Sequence, residues 1–134
     1  MAGTDASALD AGGASSASDA APALDAGLAP RLASKRWVLA PDELAEAMLR
    51  LTRGATVTAY FAANLETEWD IHVHDGAGFV FFDMGVAEQG EVRFVAPRDG
   101  DYCYAWLNVN EDPLELDIEL RGQRGPVVVR LLAP

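Results

Sequence analysis

Asp70, His72 and His74 stand at i, i+2 and i+4 in the segment Trp69-Asp70-Ile71-His72-Val73-His74, and the chain contains no other histidine. On a strand, residues two apart project from the same face, with neighbours about 6.6–7 Å apart. A His-x-His pair on a strand is a familiar metal-ligand arrangement, and a carboxylate would complete a two-His-one-carboxylate set for Zn²⁺ or Cu²⁺. The candidate ligands are His72 and His74, with Asp70 or Asp83 as the third. Three residues of one strand reach a single ion poorly, so a ligand from a neighbouring strand is called for. The competing reading is plain alternation, with Asp70, His72 and His74 facing solvent opposite an inward Trp69, Ile71 and Val73.

A second row alternates in the same way. Tyr102, Tyr104, Trp106 and Asn108 interleave with Cys103, Ala105, Leu107 and Val109. If the smaller set faces the core, the aromatic row lies outward and offers a platform for a protein partner or a glycan, because aromatic rings supply area at little entropic cost. If the aromatic set faces inward, these are packing residues. Cys103 is the only cysteine, which excludes a disulfide framework within the chain and a Cys-rich zinc module. Alone it reads as a small buried hydrophobe. A cysteine nucleophile needs a histidine close by; His72 or His74 could serve, but no activating motif accompanies them. No phosphate loop, nucleophile elbow or metalloprotease motif occurs, and the acids at 42–46 and 111–119 match no EF-hand loop. No catalytic residue is assigned, and the expectation is a protein that is not an enzyme.

The elements that must position these residues follow from composition and pattern. The 134 residues carry a net charge of −11, which argues against nucleic-acid binding, since that depends on clustered Lys and Arg. No apolar run approaches the roughly 20 residues of a membrane-spanning helix. Residues 1–36 contain 12 alanines and no aromatic residue, with the repeating Asp-Ala dipeptide at Asp5, Asp10, Asp19 and Asp25. Four aspartates against Arg31, Lys35 and Arg36 leave this segment only −1 of the total, so −10 belongs to 37–134. It is expected to be a disordered Ala/Asp/Gly/Ser-rich linker. It lacks the basic and continuous apolar regions of a signal peptide, but it resembles the stalks of bacterial surface lipoproteins. That resemblance implies a periplasmic, cell-surface or secreted location, with a cytoplasmic extension as the alternative.

From Trp37 onward, short apolar runs are separated by turn signals such as Arg53-Gly54, Asp75-Gly76, Gln89-Gly90, Asp99-Gly100 and Gly125-Pro126. Several runs alternate with period two, among them Val57/Ala59/Phe61 and Leu114/Leu116/Ile118/Leu120. This is the signature of half-buried strands in an antiparallel sandwich or barrel. Eight strands are expected, near 44–51, 55–63, 68–74, 78–83, 91–96, 101–109, 114–121 and 126–132. The segment 42–51 is rich in helix formers, and Leu44, Met48 and Leu51 would share a helical face. It is nevertheless assigned as a strand, with Arg53-Gly54 as the hairpin turn joining it to 55–63.

Within 91–122, Phe94, Ala96-Pro97, Asp99-Gly100, Tyr102, Trp106 and Asn108 form a succession that resembles the end of a GOLD-type β-sandwich, the lumenal domain of the p24 cargo-receptor family. The segment Trp69–Gly76 resembles the middle strand of bacterial relatives of that domain. The resemblance spans roughly 37–132. It implies an all-β, GOLD-like or jelly-roll-like sandwich that acts as a non-catalytic binding module. The chain departs from p24 proteins in having no C-terminal membrane helix, no coiled coil and one Cys where a pair is usual, so cargo-receptor function is not carried over. Cupredoxins share a similar Pro-Gly-x-Tyr turn, but here Trp106 stands where their copper cysteine would be and no histidine follows, which argues against type 1 copper. On physical grounds Pro97 ends a strand, Tyr102 hydrogen-bonds back to its turn, and Asn108 caps backbone groups.

Overall fold

The structure, a computed structural model, describes residues 28–134; the linker expected over 1–36 lies outside the described residues up to position 27. Among the described residues seven strands follow one another: β1 (Arg31–Leu39), β2 (Leu44–Leu51), β3 (Thr56–Asp75), β4 (Gly78–Val95), β5 (Gly100–Leu107), β6 (Leu114–Gln123) and β7 (Val127–Leu132). All pairings are antiparallel, in the order β1-β6-β3-β5-β2-β7, with β4 on the remaining side of β3. The result is a nearly closed, barrel-like sheet. Among the described residues, no helix is long and apolar enough to cross a membrane.

Two pairs of expected strands merge. Residues 55–63 and 68–74 belong to the 20-residue β3, and 78–83 and 91–96 belong to the 18-residue β4. The two form one long ribbon that bends where Ala62 pairs with Gln89 and Thr67 with Ala87, leaving four residues of β3 opposite one of β4. Such an excess on one strand is a bulge, and bulges bend a ribbon. Before the bend β3 lies beside β6, and after it beside β5. The corner is clipped on both sides: Thr67 Oγ1 donates to Leu107 O (3.0 Å), and Asn64 Oδ1 accepts from Glu115 N (2.8 Å). The bend folds β4 back until Phe82 and Phe94, twelve positions apart, meet at 5.2 Å between ring centroids, with Tyr102 completing the trio.

The strand assigned to 44–51 is present. Its inward set is Ala45, Ala47, Leu49 and Leu51, all buried, while Leu44 on the would-be helical face is exposed. Tertiary pairing thus overrides helix propensity. Its partner differs from the expected one. It pairs with β5 over Leu44–Leu51 and with β7, but not with β3, so Arg53-Gly54 is a crossover rather than a hairpin turn. The backbone N–H of Gly54, at φ +85°, donates to Ala96 O instead.

The expected boundary at Trp37 also needs correction, because β1 begins at Arg31. Residues 31–39 pair with 114–121 of β6. Two of the bases counted with the linker, Arg31 and Arg36, are counter-charges of the acidic β6 face. Arg36 makes a bidentate pair with Asp117 (2.7 and 3.0 Å), and Arg31 lies 3.6 Å from Glu119, which also binds Arg121. Opposite charges facing each other across strands support pairing.

The core gathers Trp37 and Leu39, the inward residues of β2, Val57, Ala59 and Phe61, and Leu114, Leu116, Ile118 and Leu120 around Trp106. Trp106 lies 6.5 Å from Trp37, 6.3 Å from Phe61 and 6.0 Å from Tyr104, ring centre to ring centre. Small residues make room for other rings. A Cβ at Gly85 would stand 2.7 Å from the ring of its cross-strand partner Trp69, so only glycine permits that approach.

Candidate metal centre

The aromatic row expected as a partner face is in the core. Tyr102, Tyr104, Trp106 and Asn108 are each at most 2% exposed. Tyr102 Oη donates to Arg98 O (2.7 Å), the corner expected from its place after the turn. Tyr104 Oη reaches across the core to within 3.1–3.2 Å of Val92 O and Val57 O. Asn108 Nδ2 donates to Leu39 O and Asp112 O, and its Oδ1 accepts from Asn110 N. These side chains hold backbone together and are closed to a glycan or a partner. The physical reason is volume: only the large set of β5 fills the space between the facing strands.

With the aromatic set inside, Cys103 and Ala105 lie on the outer face of the sheet. The register places Cys103 directly opposite His72 on β3, and His72 opposite Phe81 on β4. His74, two residues on, is on the same face. One ligand atom from each of His72, His74 and Cys103 lies within 4.8 Å of the others. Tetrahedral ligands at ordinary Zn–N and Zn–S distances stand about 3.5 Å apart, so roughly an ångström of side-chain movement closes the set. His74 is exposed and free to supply it, whereas His72 and Cys103 are buried.

The expected carboxylate ligand has another task. Asp70 Oδ1 is 2.6 Å from His72 Nδ1. A carboxylate only accepts, so the proton of the imidazole sits on Nδ1 and the lone pair on Nε2. That Nε2 is buried and has no hydrogen-bond partner among the described residues. A buried polar atom without a partner is costly. A carboxylate that fixes the tautomer of a ligating histidine is the usual outer shell of a metal site. Asp83 is exposed and accepts from the backbone N–H of Met84, outside the cluster. The third potential donor beside the two histidines is Cys103, from the neighbouring strand.

Phe79 and Phe81 wall the imidazoles. Phe79 stands 4.7 Å from His74 and 5.1 Å from His72, and Phe81 stands 5.7 Å from His72, between ring centroids. The donor set is two nitrogens and one sulfur, which suits Zn²⁺ or copper and disfavours Ca²⁺ and Mg²⁺, whose ligands are oxygens. A metal held by these three donors would keep a coordination position open to solvent on the exposed His74 side.

Burial, followed by the charge of Glu46, pushes the Cys103 thiol up from 9.0 to about 11. Without metal it is a neutral thiol near pH 7, and a bound cation would supply the charge that ionises it. Below pH 9 both folded and unfolded chains keep this proton. Between about 9 and about 11 only the folded chain does, so stability should fall as pH rises through that window. Urea melts across this range should show the decline, and Cys103→Ala should remove its first part. Tyr104, also raised by burial, contributes at higher pH.

No protein-family model matches this chain, and no curated protein matches it in sequence. The GOLD-type resemblance of 91–122 thus stands without a family assignment, and an all-β antiparallel domain is what remains. Sequence reasoning did not place Cys103 beside the two histidines. The available signal was its phase: once Tyr102, Tyr104 and Trp106 point inward, Cys103 must share the outer side. That β5 lies beside β3 was not readable from the pattern.

Proposed function

We propose that this domain is a non-enzymatic metal-binding module that holds Zn²⁺ or copper between His72, His74 and Cys103. The observation that carries the reading is the orphaned, buried Nε2 of His72, whose other nitrogen is held by Asp70. The GOLD-like sandwich architecture belongs to the same proposal. It draws support from the bent β3–β4 ribbon and from the Tyr102 corner, and it favours binding over catalysis. The two histidines orient the ion, the cysteine thiolate selects for softer cations, and the open position lets a small ligand or a second donor reach it.

Titration with Co²⁺, the spectroscopic substitute for Zn²⁺, tests this directly. One equivalent should produce a thiolate-to-cobalt charge-transfer band, and excess Zn²⁺ should bleach it. Cys103→Ser should lose the band while keeping the fold. A wild-type protein that shows no such band, or binds Co²⁺ no better than Cys103→Ser, overturns the proposal.

A further inference from the structure

Cys103 is paired on one side with His72 of β3 and on the other with Met48 of β2. Directly paired residues share a face of the sheet, with Cβ atoms about 4.5–5.5 Å apart. Met48 is half-buried between the inward Ala47 and Leu49, so its side chain lies on the outer face with Cys103. A row thus crosses the sheet as Phe81, His72, Cys103, Met48 and Arg130, with His74 beside it. It sets a thioether next to the thiol that already stands among the two imidazoles.

We propose, resting on the metal-binding reading above, that the ion this site selects is copper in its +1 state, with the Met48 thioether as the fourth donor. Cysteine is short, and methionine is unbranched and flexible, so Met48 can lean over Cys103 toward the gap where His72 Nε2 lacks a partner. Thiolate and thioether sulfur select Cu(I), whereas Zn²⁺ takes thiolate, imidazole and carboxylate. The carboxylates that would favour zinc are placed otherwise. Asp70 holds His72 Nδ1 (2.6 Å), and Asp101 is held by Arg50 (3.0 Å). Glu46 stands opposite Ala105, on the diagonal from Cys103 and roughly 7 Å away, farther than Met48. Phe79 and Phe81 close the β4 side with rings that offer no donor atom. As the ion binds, the S–H bond of Cys103 is replaced by a bond from sulfur to copper, and the proton passes to water. The ion enters as Cu(I), so no electron is exchanged.

The test is anaerobic titration of the full chain with Cu(I) against bicinchoninate, a chromophoric Cu(I) chelator, alongside the Co²⁺ titration. Wild type should take one equivalent of Cu(I) and, once loaded, should not develop the Co²⁺ band. Met48→Leu keeps the size and apolarity of the side chain and removes the sulfur. It should bind Cu(I) about tenfold more weakly, a weak thioether being worth roughly as much as an outer-shell contact, while its Co²⁺ affinity stays that of wild type. Met84→Leu is the control: Met84 lies on the same face opposite Asp70, 60% exposed, and its loss should change the binding of neither ion. X-ray absorption of the copper-loaded chain should find two sulfur scatterers in wild type and one in Met48→Leu. Equal Cu(I) affinities for wild type and Met48→Leu overturn the proposal, as does a parallel loss of Cu(I) and Co²⁺ binding, which would mark Met48 as merely structural. A single sulfur scatterer in wild type, or a Co²⁺ band in the copper-loaded chain, overturns it too. If the Co²⁺ band forms and depends on Cys103 while Met48→Leu keeps full Cu(I) affinity, the metal module stands and its copper identity falls. If neither ion binds, both fall.

Discussion

His72→Ala should lower Zn²⁺ or Co²⁺ affinity further than any other single change in the domain, and by more than Asp70→Asn. The ordering follows from where each group stands. In the proposed site His72 is the rigid donor: it is buried, its ring is walled by Phe79 and Phe81, and its Nδ1 is fixed by Asp70. Removing it takes away one of three donors and loosens the strand pair that presents Cys103. Asp70 would act on a bound ion only through the imidazole it holds. Its loss frees the tautomer and the ring orientation, which typically costs roughly 10–100-fold in affinity. Asp70→Asn is the informative variant, because an amide can still accept from Nδ1 but carries no charge. His74, which is exposed, should fall between the two. Competition against a chromophoric chelator measures all three. Equal affinities for wild type, His72→Ala and Asp70→Asn would sink both the site and its assigned geometry.

Trp106→Ala should destabilise the fold by about 3–5 kcal/mol, the range for deleting a large buried ring. For a domain whose total stability is on the order of 5–15 kcal/mol, that is a large share. Trp106 is the meeting point of the two halves of the molecule. On one side it touches Trp37 of β1 and Phe61 before the ribbon's bend, and along its own strand it stacks on Tyr104. It is 1% exposed, so the site has no route to refill with water without exposing the core. Denaturant melts should show the midpoint falling sharply with the slope largely kept. A loss under about 1 kcal/mol, the ordinary size of a surface change, would mean that the ring does not join the halves. Trp106→Phe, which keeps much of the ring, should recover over half of the loss.

The period-two pattern was enough to place most strands, because alternation is a local consequence of the pleat. It survived even at 44–51, where helix propensity spoke against it. Two strands ran longer than their turn signals suggested. Gln89-Gly90 looks like a stop, yet it lies inside β4, where a bulge bends the ribbon instead of ending it. β1 was hidden because Arg31 and Arg36 look like linker until the acids of β6 are set beside them.

The candidate site divides in the same way. Sequence by itself determined that His72 and His74 share a face and that Cys103 lies opposite the aromatic set of its own strand, since both depend only on residue spacing. It also determined the chain's acidity and its lack of a disulfide partner. Only the tertiary structure decided that Tyr102, Tyr104 and Trp106 face inward, that β5 lies against the second half of β3, and that Asp70 holds His72 while Cys103 takes its place in the cluster. The physical reason is range. Which side of a strand a residue faces is written in its neighbours along the chain. Which strand lies alongside is settled by the bend of a long ribbon and by the volume that large rings must fill, and both depend on residues far apart in sequence.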